Sequence, residues 1–100
     1  MPKYSNKTLR KDILITLAYV PYSPFRVKAI LNALRPTGYE DLSETGLMGQ
    51  VKYLEEKGYV KSEMSRNIVT EEEMLLVTIT SKGIDLLEGN CTDVGIDCAR

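Results

Sequence analysis

The residues best placed to do chemistry in this chain of 100 residues are hydrogen-bond donors and cations rather than nucleophiles. Ser43, Thr45, Gln50 and Lys52 sit beside the apolar positions of one predicted helix, and side chains of these types bond base edges and phosphate oxygens. Arg66 and Asn67 fall in a polar run between two predicted strands, and a hairpin tip carrying them suits the minor groove of a duplex. Lys7, Arg10, Lys11, Arg26 and Lys28 add cations that suit the sugar-phosphate backbone.

Other chemistries are excluded by what the chain lacks. It contains no histidine, so histidine acid-base catalysis and Ser-His or Cys-His dyads cannot operate. Cys91 and Cys98 are two short of a four-ligand structural zinc site and read as free cytosolic thiols. Glu71, Glu72 and Glu73 are consecutive, and consecutive strand residues alternate faces, so three carboxylates there do not converge on a metal. No glycine-rich phosphate cradle or nucleophile elbow occurs. The expectation is a non-enzyme with no cofactor and no metal. With no apolar run of roughly 20 residues and no basic-then-apolar amino terminus, it is also expected to be cytoplasmic and free of membrane.

Net charge is −1, but its distribution is uneven. Residues 1–39 hold seven bases (Lys3, Lys7, Arg10, Lys11, Arg26, Lys28, Arg35) against Asp12 alone, and the remaining six bases face thirteen acids in residues 40–100. A polyanion is drawn to the first part and repelled by the second.

The elements that must position these groups follow from periodicity. Leu9, Ile13 and Leu17, with Leu14 and Ala18 beside them, make a helical stripe that begins at Thr8 and stops before Pro21. Ser23-Pro24 is a helix-start signal, cap then first turn, and Val27, Ile30, Leu31 and Leu34 continue it to Pro36 and Gly38. Leu47, Val51 and Leu54 give a third helix over 43–57, capped by Ser43 and stopped by Gly58. Val60 to Met64 alternates, Ser65 to Glu72 is polar, and Met74 to Thr80 is β-branched and apolar, which predicts a hairpin with a long loop. Ser81 is placed to cap a last short helix ending at Gly89. The six tyrosines are spread over helix ends and turns, as for packing at the edge of a core. The predicted organisation is a flexible basic arm (1–7), one domain (8–89) and a polar tail (90–100), either loose or packed on a partner.

Two phrases carry a family resemblance. Leu54, Gly58 and Val60 within VKYLEEKGYVKSEM, and Ile79, Thr80 and Gly83 within VTITSKGIDLLEG, resemble the third-helix ending and the strand-to-helix junction of the arsenic-repressor and multiple-antibiotic-resistance families of bacterial regulators. The resemblance implies a winged helix-turn-helix, mainly α with a small antiparallel β-hairpin in the order α-α-α-β-β-α, and a homodimer on double-stranded DNA. Val94-Gly95-Ile96 and LAYVPYSPFRVKAIL also resemble the small winged-helix proteins of Mu-like phages and prophages, which implies a DNA-associated accessory role.

The sequence departs from that pattern where binding strength would come from. Glu44 opens the third helix, Glu40 and Asp41 precede it, and Glu71 to Glu73 flank the wing. A carboxylate near a phosphate removes attraction that a lysine would supply. Two functions follow: a small transcription regulator reading duplex DNA, or an assembly module whose acidic third helix meets a basic protein partner. The face on which Arg10, Lys11, Arg26 and Lys28 lie relative to Lys52 and Arg66 discriminates between them.

Overall fold

The computed structural model describes residues 5–89 together with Asp93, Gly95 and Ile96. Helix α1 spans Asn6–Ala18, strand β1 Phe25–Arg26 and α2 Val27–Leu34, followed by a single tight turn at Arg35–Thr37. Helix α3 spans Glu44–Glu56, strands β2 and β3 span Val60–Arg66 and Glu73–Ile79, and α4 spans Ser81–Leu87. The strands form one antiparallel sheet in the order β1-β3-β2, with Val60 opposite Ile79, Arg66 opposite Glu73 and Phe25 opposite Val77.

The apolar stripes read from the sequence meet in one core. Leu9, Ile13, Leu14 and Leu17 of α1, Ile30 of α2, Leu47 and Leu54 of α3, and Val77 and Ile79 of β3 are all 2% exposed or less. Each such side chain contributes about 1.5–3 kcal/mol by leaving water, which is what holds helices this short in place. Tyr39 and Tyr59 are buried at the core margin, whereas Tyr19 and Tyr22 face solvent. Among the described residues no helix is long and apolar enough to cross a membrane.

Four local expectations are corrected. Helix α1 opens at Asn6 rather than Thr8, because the Ser5 side chain accepts from the Thr8 N–H and caps it, so Lys7 lies in the first turn and not in an arm. Ser23-Pro24 does not start α2. Phe25 and Arg26 instead pair with β3, and α2 begins after them with Arg26 as an extended N-cap that makes no side-chain bond. The exposed edge of β3 needed a partner, and backbone pairing there outweighs one side-chain cap. Helix α4 is capped by Thr80, one residue before Ser81. Ile96, expected in a polar tail that is loose or packed on a partner, is 4% exposed within the domain's own core, while most of 90–100, with Cys91, Val94 and Cys98, lies outside the described residues.

The two phrases behind the family resemblance turn out to be one contact. Gly58, at φ +84, turns the chain out of α3 as the left-handed stop the sequence called for. Its carbonyl accepts from the Thr80 hydroxyl at 2.6 Å, while the Tyr59 carbonyl accepts from the Thr80 N–H at 3.0 Å. The Thr80 oxygen in turn accepts from the Gly83 N–H at 3.2 Å. Gly83 is buried so closely on the Tyr59 carbonyl that a Cβ would overlap it and come within 2.8 Å of Ile79 Cγ1. Lys82 closes the junction, donating to the Lys57 carbonyl at 3.0 Å, one of the acceptors left open at the end of α3.

Candidate nucleic-acid interface

Helix α3 is held by one face and offers the rest. Leu47, Val51 and Leu54 are buried, and Ser43 accepts from the Gly46 N–H at 3.0 Å, satisfying an orphan donor of the first turn. The Ser43 hydroxyl predicted to meet DNA is therefore already the helix cap. Thr45 and Lys52 are exposed. Around Gly49 lies open space, with nothing within 4 Å of where a Cβ would stand.

Between α3 and the sheet runs a concavity of about 340 Å³. Arg26 and Lys28 reach it from β1 and the start of α2, Glu44 and Met48 from α3, and Met64, Met74, Glu72 and Glu73 from the wing. An adjoining hollow shares Met48 and Leu75 with it and carries Lys52, Glu55 and Ser62. Arg26, Lys28 and Lys52, far apart in sequence, thus line one continuous surface. Val27, Met48, Met64, Met74 and Leu75 line it together with both cations and carboxylates.

The other predicted cations are elsewhere. Arg10 lies on the opposite flank of α3, where its Nε donates to Gln50 Oε1 at 2.7 Å and its guanidinium stacks 3.6 Å from the Tyr53 ring centroid. Gln50 is accordingly half-buried and bonded to α1 instead of projecting outward. Lys7 is exposed and Lys11 half-buried on α1, and neither lines the α3–wing surface.

The wing is more ordered than a polar loop suggests. Asn67 Oδ1 accepts from the N–H groups of Val69 at 2.9 Å and Thr70 at 3.2 Å, and its backbone bonds Glu71 and Glu72. Asn67 is thus the builder of the turn, and Glu71 takes a left-handed conformation (φ 60) to close it. Arg66 is exposed at the end of β2, and the tip beyond it presents Ile68 and Val69 at 92% and 90% exposure. In the sequence this stretch reads as polar. A β-branched pair inside it was the available signal.

Among the described residues no group of three His, Cys, Asp or Glu side chains converges to hold a metal ion. Among the described residues one titratable group is clearly displaced. The Tyr59 hydroxyl donates to Asp93 Oδ2 at 2.6 Å and lowers its carboxyl below the ordinary aspartate value, helped by the Gly95 N–H and by Lys57 and Lys82 and opposed by partial burial.

No protein-family model and no curated protein matches the chain. Among solved structures it is similar to a protein of Thermoplasma acidophilum described as a transcriptional regulator, at 21% identity over 84% of this chain and 75% of that one, with a TM-score of 0.68. It is similar to a PadR-like transcriptional regulator of Bacillus cereus at 16% identity over 81% and 75%, TM-score 0.65. A PadR family transcription regulator of Clostridium difficile aligns at 24% identity over 80% and 81%, TM-score 0.62. At these identities the likeness is one of architecture: the chain has the winged helix-turn-helix fold that its two sequence phrases imply.

Proposed function

We propose that the chain is a small, non-enzymatic DNA-binding transcription regulator that acts in the cytoplasm as a homodimer, each copy reading a half-site through the α3–wing surface. The observation that carries this reading is the convergence of Arg26 and Lys28 with α3 and the wing in one concavity continuous with Lys52. It supplies cations from β1 and α2 where α3 itself is acidic, and the solved neighbours described as transcriptional regulators support the same use of the fold. In this reading Thr45 and Lys52 meet the major groove, Arg66 and the Asn67 turn approach the adjacent minor groove, and Arg26 and Lys28 contact phosphates. Lys7 and Lys11 add attraction at longer range, while Ser43, Gln50 and Arg10 act by holding α3. Two half-sites add in a dimer, which compensates for a weakly basic face. A role as a phage or prophage accessory factor is one setting in which such a regulator would work.

A second reading has its own support. Met48, Met64 and Met74 lie with Glu44, Glu72 and Glu73 in that concavity, a combination suited to a basic, apolar protein segment. Selection of duplexes from a random pool, followed by fluorescence anisotropy over a range of salt, separates the two. The DNA reading predicts binding whose logarithm falls linearly with that of salt concentration and weakens in Lys28→Glu. Absence of binding to every duplex at low salt refutes it and leaves the protein-partner reading.

A further inference from the structure

Three observations meet on the flank of α3 that faces away from the wing. Arg10 makes a fork: Nε donates to Gln50 Oε1 on α3, Nη1 donates to the Gly95 carbonyl of the tail at 2.8 Å, and the plane stacks on Tyr53 of α3. Gly95 packs so tightly against Tyr53 that a Cβ there would overlap the Tyr53 hydroxyl. On either side of it the tail is anchored, by Asp93, which receives the Tyr59 hydroxyl and the Gly95 N–H, and by Ile96, 4% exposed in the core. One arginine thus joins the first helix, the third helix and the carboxyl-terminal residues, across 85 positions of sequence.

We infer that Arg10 and the tail residues Asp93, Gly95 and Ile96 form a clasp that fixes the orientation of α3, so that Arg10 serves DNA recognition as a positioning residue and not as a phosphate contact. The guanidinium is suited to this because its planar fork satisfies two acceptors at once while its face covers a ring, which a lysine ammonium cannot do. The clasp grips Gln50, which adjoins the exposed Gly49, and Tyr53, about two turns beyond the exposed Thr45. A change in its fit therefore tilts the presenting part of the helix while leaving Leu47, Val51 and Leu54 in the core.

The inference rests on the DNA-binding reading for its consequence but not for its geometry, and the test separates them. In the full-length protein, Gly95→Ala wedges the clasp open without altering any charge, and Arg10→Lys keeps the charge but loses the fork. Hydrogen exchange without DNA is expected to show the Leu47–Tyr53 amides losing about tenfold protection in both variants. Duplex titrations well below the unfolding midpoint are expected to show about tenfold weaker binding to the selected site in both, with the slope against salt unchanged. Tyr59→Phe, which removes the hydroxyl that bonds Asp93, is expected to show the same pattern at smaller amplitude and guards against a Gly95 variant that fails to fold. Unchanged exchange in Arg10→Lys and Tyr59→Phe overturns the clasp. A phosphate-contact role for Arg10 takes its place if Arg10→Ala lowers the salt slope by about one while Gly95→Ala binds normally. Should the wild-type protein bind no duplex, the regulator reading fails, and the exchange experiment alone decides whether the clasp holds α3.

Discussion

The two ends of α3 are built on different terms. Its carboxyl end is bolted: Gly58 turns the chain, Thr80 bonds both residues of the turn, Lys82 covers the Lys57 carbonyl, and Gly83 lies on Tyr59 without room for a methyl group. Its amino end has a serine cap, one buried leucine at Leu47, and open space around Gly49. The difference teaches how this fold divides its labour. Precision is concentrated where the helix hands over to the sheet, and the end that meets solvent is left free for substitution.

That contrast can be broken or sharpened by experiment. The largest effect is expected from Gly83→Ala, which forces a methyl group into the Tyr59 carbonyl and Ile79 and should cost about 3 kcal/mol in urea unfolding. A loss under about 1 kcal/mol would mean that the bolted end can yield. Lys52→Glu reverses a charge on the open surface and is expected to weaken duplex binding about tenfold with little change in stability, as measured by anisotropy and thermal melting. Ser43→Ala removes the side-chain cap of the open end and should cost about 1 kcal/mol. Gly49→Ala should move the other way, stabilising by about 0.5–1 kcal/mol, because the added methyl group meets nothing and glycine is a poor helix residue. The smallest effect concerns acid. The Asp93 carboxyl is lowered in the folded protein by Tyr59, with the Gly95 N–H, Lys57 and Lys82 adding to it, so its contribution is complete above the ordinary aspartate range. It is lost as pH falls through and below that range, and Tyr59→Phe should flatten the acid limb of a stability-against-pH curve.

The bolted end was also the legible one. The spacing of Leu47, Val51 and Leu54 and the stop at Gly58 are local signals with local physical causes, and the structure realises both, whereas the Thr80-x-x-Gly83 phrase rests on family resemblance and its cap falls on Thr80 and not on Ser81. The hairpin was legible too, although alternation implied that Met64 would follow Val60 inward. Met64 is instead 61% exposed, because the hairpin runs out beyond the body that buries Val60. Strand β1 was not legible: two residues carry no period, and the cap signal at Ser23-Pro24 pointed elsewhere. The role of Arg10 was hidden for a different reason. A basic residue on a helix looks the same in sequence whether it faces a phosphate or a carbonyl 85 residues away. The sequence-level test of which face carries the bases therefore receives a divided answer, with Arg26 and Lys28 beside Lys52 and Arg10 behind it.

Glu55 looks at first like one more carboxylate spoiling a DNA-binding helix, but it accepts from the Ser62 N–H at 3.1 Å and the Ser62 hydroxyl at 2.7 Å. Strand β2 is one of the two outer strands of the sheet, and an unpaired amide there is a template on which another chain can add. By occupying that amide from α3, and with Lys61, Glu63 and Arg66 charged along the same strand, the protein keeps its sheet from growing sideways. Part of the acidity that weakens attraction to a polyanion is in this sense protection against aggregation, spent on an edge strand that the hairpin cannot close for itself.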